Sequence, residues 1–237
     1  VFQDDIIHRF DVDAGNGVKT LRRAQDEFVL LRSETRPDSR SGADGVFSGA
    51  VSLKPGQIHS DSVSFNAGDM TDYYRASDAP AVVLLVREGA LDLETTADEP
   101  VTTDPVNPYL IAEWTSVPEK IRVRARPGAG GRYTIVLLSG PQRHSEVIER
   151  ILTDASLKRS FATFRSAGET LRLFAPEESA SFCRARIENP GRLRTACTYF
   201  LYPNGNDEDR RKIEGATSPD REFKDAVRAL KEEFEAK

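Results

Sequence analysis

Short stretches of alternating apolar and polar residues fill the middle of the chain. Ile121, Val123 and Ala125 alternate with arginines, which is typical of a strand with one buried face. Pro and Gly recur between such stretches, so the pattern predicts an antiparallel, jelly-roll-like β-sandwich over residues 46–140. The predicted strands are 46–53, 62–65, 71–75, 81–87, 90–95, 109–114, 120–125 and 132–138.

The spacing of apolar residues also marks residues 1–45 as a separate N-terminal segment. A strand is predicted at 6–12. Leu21, Ala24, Phe28 and Leu31 then recur at helical spacing, which predicts a helix over 20–33. No large apolar residue occurs in 34–45, so this stretch is interpreted as a linker.

The remaining residues, 141–237, are predicted to form a smaller α+β domain, which makes the whole chain mainly β. An apolar stripe predicts a helix at about 144–157, and strands are predicted at 161–165 and 170–175. A C-terminal helix follows Ser218, with Phe223, Val227, Leu230 and Phe234 on one side. This helix is expected to dock on its own domain; a partner-binding helix is the alternative.

The only two cysteines lie at either side of Asn189-Pro190-Gly191. A β-hairpin turning at these three residues places Cys183 opposite Cys197, and cysteines that face each other on antiparallel strands can form a disulfide. A disulfide predicts maturation in an oxidising compartment, so the protein is expected to be periplasmic or secreted. Two reduced, buried thiols in a cytosolic protein are the alternative.

Composition excludes some classes of protein. The chain has 237 residues, a net charge of −5 and a mean hydropathy of −0.48. This charge gives no reason to expect nucleic acid binding, and no apolar run approaches the length of a transmembrane segment. The sequence begins with Val1, which fits either removal of a signal peptide or a trimmed chain.

Four arginines near the predicted hairpin are a candidate anion-binding patch. A solvated face of arginines paired with nearby glutamates is the alternative interpretation. The patch consists of Arg184, Arg186, Arg192 and Arg194.

Two weaker candidate sites lie in the predicted sandwich. Asp69 and Asp72 share a loop and are candidate calcium ligands, which makes calcium the one cofactor considered. Tyr109 and Trp114 are a candidate platform for a sugar, with core packing as the alternative. Nucleophile, nucleotide and metalloprotease motifs are absent from the sequence, and no catalytic residue or other metal site is predicted.

Residues 46–140 resemble the bacterial pre-peptidase C-terminal domain family. Phe65-Asn66-Ala67-Gly68-Asp69 followed by Thr71-Asp72-Tyr73-Tyr74-Arg75 is similar to that family's G-x-x-D-x-Y-x-F motif, although Arg75 replaces the second aromatic residue. The segments 82–86 and 131–137 are similar to its later strands. The resemblance implies a non-catalytic β-sandwich of the kind appended to secreted enzymes, some of which bind calcium or matrix proteins.

These patterns together predict an exported, non-catalytic binding or accessory protein that recognises a partner, most simply a protein, through its surface. A carbohydrate- or calcium-binding module, a hydrolase of the cell envelope and a structural component of an envelope assembly are the alternatives. Two arginine-striped segments, 122–138 and 183–201, also allow a duplicated sandwich.

Overall fold

A computed structural model describes most of the chain beyond residue 50. It covers residues 10–13, 18–21 and 31–34 as backbone only, and 50–66, 69–95, 106–116, 120–188, 191–218 and 220–236 with side chains. The chain divides into two compact units, Val1–Gly140 and Pro141–Lys237. Within the described ranges, no helix is both long and apolar enough to cross a membrane.

The first unit contains all eight strands predicted for the sandwich. They form two four-stranded sheets, in the orders β4-β6-β10-β8 and β5-β11-β7-β9. Pairing is antiparallel except between β4 and β6, which run parallel, so the first sheet is mixed. Their bounds are β4 (Val51–Leu53), β5 (Ile58–Ser64), β6 (Thr71–Ala76), β7 (Ala81–Gly89), β8 (Leu91–Thr95), β9 (Tyr109–Trp114), β10 (Ile121–Ala125) and β11 (Gly130–Ser139).

A single apolar core lies between these two sheets, because alternate residues of every strand point inward. Strand β10 shows the predicted alternation, with Ile121, Val123 and Ala125 buried. The run Ala81–Leu85 on β7 is buried at every position. A strand that is buried on both faces gives such a continuous apolar run.

The turn between β7 and β8 requires glycine. Gly89 has φ +110°, and a Cβ built on it would lie 2.3 Å from the carbonyl oxygen of Gly130. Opposite it in the sheet, a Cβ on Gly131 would lie 1.9 Å from the carbonyl oxygen of Glu88. The backbones of β7 and β11 therefore approach each other too closely here for any residue with a side chain.

The N-terminal segment differs from its prediction where it is described. Strands β1 (Phe10–Asp13), β2 (Val18–Leu21) and β3 (Leu31–Glu34) form an antiparallel sheet in chain order. The helix predicted at 20–33 is wrong at both ends, because β2 and β3 occupy them. Its centre, most of the strand predicted at 6–12 and the linker at 34–45 lie outside the described residues.

The second unit is helical, so the prediction of a mainly β chain is wrong and the protein is mixed α/β. The helix predicted at about 144–157 and the C-terminal helix are confirmed, whereas the strands predicted at 161–165 and 170–175 belong to one helix. The helices are α1 (Arg143–Lys158), α2 (Phe161–Phe174), α3 (Pro176–Ile187), α4 (Leu193–Asn204), α5 (Asp207–Gly215) and α6 (Arg221–Glu235). A duplicated sandwich is excluded by this architecture.

The disulfide is confirmed, but it joins two helices instead of two strands. Cys183 on α3 is bonded to Cys197 on α4, with their Cα atoms 5.0 Å apart. Cys183 and Ile187 are buried one turn apart while Ala185 is exposed, which is the pattern of a helix and not of a strand. Pro176 in the first turn of α3 is favourable there because its missing N–H has no partner to lose.

Helix α4 is the centre of the second unit. Its residues from Arg194 to Tyr202 are all buried, and α2, α3 and α6 pack around it. Gly168 on α2 allows the closest approach, since a Cβ there would lie 3.2 Å from the carbonyl oxygen of Tyr199. The ring of Tyr199 on α4 contacts Phe161, the first residue of α2.

Candidate functional site

The four arginines of the predicted anion patch do not gather at one place. Arg184 donates from Nε and Nη2 to the two carboxylate oxygens of Asp209, both at 2.8 Å. The guanidinium of Arg186 lies over the ring of its neighbour Phe182. Arg194 is buried and its guanidinium lies 4.2 Å from the ring centre of Phe223.

Arg192, the fourth of these arginines, directly precedes α4 and is half-buried. Three of the four guanidinium groups therefore already have partners within the second unit. An arginine that is held by a carboxylate or a ring contributes to packing and is less available to an external anion.

The two candidate calcium ligands have different surroundings. Asp72 is buried, and its Oδ2 accepts a hydrogen bond from the hydroxyl of Tyr133. Asp69 is half-buried and pairs with Ser64 through its backbone. In the part of the chain that the structure describes, no three acidic, histidine or cysteine side chains are close enough together to hold a metal ion.

Tyr109 and Trp114 lie in the interior and not on a surface. Both are at most 1% exposed, and the indole Nε1 of Trp114 donates to the carbonyl oxygen of Asp78 at 3.1 Å. Their ring faces are covered by the protein, which matches the core-packing alternative and leaves no face for a sugar to stack on.

A polar cluster that the sequence did not predict joins the two sheets of the sandwich. Tyr133 on β11 donates its only hydroxyl proton to Asp72 on β6. The hydroxyl of Tyr74 lies 2.6 Å from that of Tyr133, and it must be the donor of this second bond because the Tyr133 proton is already used. Burial, together with the neighbouring Tyr74, Asp72 and Asp61, raises the pKa of Tyr133 well above its usual value.

An open groove of about 820 Å³ is bordered by α2, α4 and α6. We call it the helical groove. It is defined by Phe161 and Phe164 on α2, Thr195 and Tyr199 on α4, and the side of α6 that runs from Glu222 to Glu232.

The floor of the helical groove is aromatic. The ring of Tyr199 is stacked on Phe164, with ring centres 5.0 Å apart and planes 6° from parallel. Phe161 meets Tyr199 edge to face at 5.2 Å and is 44% exposed. An exposed phenylalanine that packs against one of two stacked rings is a rigid apolar contact for a partner.

Two ion pairs join α2 and the residues just before it to α6. Arg165 on α2 pairs with Glu233, and Arg159, just before α2, lies 3.8 Å from Glu222. Burial raises the pKa of Glu222, although Arg159 acts in the opposite direction. Burial also raises the pKa of Tyr199 to about 12, so its hydroxyl keeps its proton at neutral pH.

Neither a protein-family model nor a curated protein matches the chain. Among solved structures, the chain is similar to the pre-peptidase C-terminal domain of a collagenase from Bacillus anthracis. The likeness covers 37% of this chain and 91% of that domain, at 17% sequence identity and a TM-score of 0.25. It is a weak link at the level of the fold, and no residue or activity is transferred from it.

The helical groove could not have been found from the sequence. Its walls come from three segments about 35 and 25 residues apart, and two of the three were predicted as strands. The one signal was the apolar stripe of the C-terminal helix, which left open whether this helix binds a partner.

Proposed function

We propose that this protein is an exported, non-catalytic binding protein that recognises a partner protein through the helical groove. The observation that carries the proposal is the exposed Phe161 on a rigid aromatic floor beside a charged helix. Aromatic anchors surrounded by charged residues are typical of the centre of protein interfaces.

Export is supported by the disulfide between Cys183 and Cys197. The pair accounts for both cysteines of the chain and lies in the core of the helical unit. Structural disulfides persist in oxidising compartments and are reduced in the cytosol. Acid quenching of host cells, followed by alkylation under denaturing conditions and mass analysis, should find both cysteines unmodified because they are bonded to each other; alkylated cysteines would contradict export.

A photo-crosslinking experiment tests partner recognition in the host. The photoreactive amino acid p-benzoylphenylalanine replaces Phe161 in the groove or, as the matched control, Leu173 on the same helix, which is 45% exposed and outside the groove. We expect a discrete cross-linked product from position 161 only. Equal products from both positions, or none from position 161, would contradict the proposal.

A hydrolase is the second candidate function, and the raised pKa of Glu222 favours it. A carboxyl group with a raised pKa can act as a general acid. Glycoside hydrolysis, however, needs a second carboxyl on the opposite side of the scissile bond, and Asp225 lies on the same helix between two arginines. Turnover of chromogenic glycosides that is lost in Glu222→Gln would establish this function instead.

A further inference from the structure

Positive charge is concentrated where helix α4 begins. Arg192 directly precedes the helix, and Arg194 lies in its first turn. This turn contains no acidic residue, and the side chain of Arg192 makes no capping hydrogen bond. The first N–H groups of a helix have no acceptor within it and carry a partial positive charge. The two arginines therefore add to the charge of this helix end instead of offsetting it.

Arg194 is a buried cation whose donors are only partly used. The residue is 4% exposed, and its guanidinium lies over the ring of Phe223. Its Nη1 donates to the carbonyl oxygen of Thr217 at 3.5 Å, which is long for a hydrogen bond. Its Nε has no acceptor among the described residues. A ring takes the face of a guanidinium and leaves its N–H donors, which lie in the guanidinium plane.

A negative partner for Arg194 is not found within the described ranges. No carboxylate there forms an ion pair with Arg194 or with the half-buried Arg192. Burying a charge is costly unless the charge is paired, and a buried donor without an acceptor is rare in folded proteins. The missing acceptor of Nε therefore indicates a group from outside the chain, and the charge of the guanidinium favours an anion.

The acidic residues at the beginning of α6 are already engaged. The carboxylate of Asp220 accepts from the backbone N–H of Glu222, and Glu222 lies 3.8 Å from Arg159. Neither Arg192 nor Arg194 borders the helical groove. The positive end of α4 is therefore a different place from the groove of the proposed function.

We propose that the beginning of α4 binds a phosphate group, held by the guanidinium groups of Arg192 and Arg194. Phosphate suits this place because it carries several acceptor oxygens, so it accepts from both guanidinium groups at once while its charge meets the N-terminus of a helix. Free phosphate and a phosphate ester share this chemistry. The inference is independent of the proposed function.

The test is an NMR titration at constant ionic strength that observes the Nε–H group of Arg194 directly. Its signal is assigned through the carbons of its own side chain and confirmed by its absence in Arg194→Lys. Inorganic phosphate should shift this signal saturably. Perchlorate is the control, because it is also tetrahedral but carries one charge and accepts hydrogen bonds poorly. A signal that does not move, or that moves equally with perchlorate, would overturn the proposal.

Two variants distinguish the site from general surface charge. Arg192→Gln should weaken phosphate binding about tenfold, since one charge-assisted hydrogen bond is removed. Arg172→Gln, at an exposed arginine on α2, should leave the affinity unchanged. Equal affinities of the wild type and Arg192→Gln, or an equal loss in Arg172→Gln, would contradict a site built from the two arginines. The same spectra verify that each variant is folded.

A second titration, with N-acetylphosphoserine amide, identifies the source of the phosphate. Tighter binding of this ester than of inorganic phosphate would assign the site to a phosphate ester, and the reverse order would assign it to the free ion. If neither compound moves the Nε–H signal of Arg194, the proposal is overturned. The cross-link at position 161 is unaffected by any of these results, so the two proposals stand or fall separately.

Discussion

One phenol proton links the two sheets inside the sandwich. Tyr133 gives it to Asp72, and Tyr74 in turn donates to the oxygen of Tyr133. All three groups are buried, so each hydrogen bond replaces one that water would otherwise provide. The cluster therefore stabilises the sandwich only while Tyr133 remains protonated.

We expect Tyr133→Phe to lower the free energy of unfolding by about 1–3 kcal/mol at pH 7, because the hydroxyl that donates to the buried Asp72 is removed. Tyr74→Phe should lower it by only about 1 kcal/mol, since the bond between Tyr133 and Asp72 survives. Urea titrations of the three proteins measure both values. Equal losses in the two variants would show that the donor order is not as described.

The same residue predicts a pH dependence. The raised pKa of Tyr133 means that the folded state keeps a proton that the unfolded state loses above about pH 10. Its contribution to stability is complete below pH 10 and is lost as the pH rises towards the folded pKa. The free energy of unfolding should therefore fall above pH 10, and less steeply in Tyr133→Phe. Parallel curves for the two proteins would contradict this assignment.

At the scale of the element, α5 depends on a single carboxylate. Asp209 accepts from Arg184 on α3 and from the backbone N–H of Asn206, while its own N–H donates to the side chain of Asn206. These bonds form a capping box and tie α5 to α3. Arg184 is the main reason that the pKa of Asp209 lies below its usual value.

We expect Asp209→Asn to lower the free energy of unfolding by about 1–2 kcal/mol at neutral pH, because a cap and a charged pair are weakened. Since the folded pKa is lowered, this contribution is present above about pH 4 and is lost as the pH falls further. Thermal unfolding between pH 7 and pH 3 measures it. Asp207→Asn is the control, because Asp207 is 85% exposed on the same helix; an equal loss there would contradict the special role of Asp209.

The strands of the sandwich could be predicted because a strand repeats its buried and exposed positions every two residues, so a few residues are enough to show the pattern. Ile121 and Val123 on β10 alternate with arginines, and a half-buried strand imposes that alternation. Helix α4 could not be predicted, because a helix that is buried on all sides has no polar face and shows no helical period. Its run from Thr195 to Tyr202 therefore resembles a strand.

The arginines of the candidate anion patch have different partners for a related reason. Arg184 and Arg194 lie close together on opposing strands if the segment is a hairpin, but on helices α3 and α4 they reach different partners. Short segments do not separate the periods of 2 and 3.6 residues, so an error in the element becomes an error in the site. The cysteine pairing survived because both arrangements bring the two residues together.

At the scale of the whole molecule, the two units have separate spectroscopic signals. Trp114, the only tryptophan of the chain, is in the core of the sandwich. All helices of the described ranges belong to residues 141–237, and so does the disulfide. Tryptophan fluorescence therefore reports the first unit, and circular dichroism at a helical wavelength reports the second.

We expect a reductant to lower the melting temperature measured by circular dichroism by on the order of 10 °C, because a disulfide closing a loop of this size contributes about 3 kcal/mol. The midpoint measured by tryptophan fluorescence should change little. The Cys183→Ser/Cys197→Ser protein, with and without reductant, is the control. If reductant moved both midpoints equally, the two units would unfold as one.

The close contact between Gly89 and Gly131 has a consequence for finding relatives of this chain. Surface loops and most core positions can drift until no similarity is detectable, but any substitution at these two places pushes a side chain into a carbonyl group. Distant members of the lineage should therefore retain both glycines, 42 residues apart, flanking the same pair of adjacent strands. That spacing is a signature to look for where overall identity has vanished.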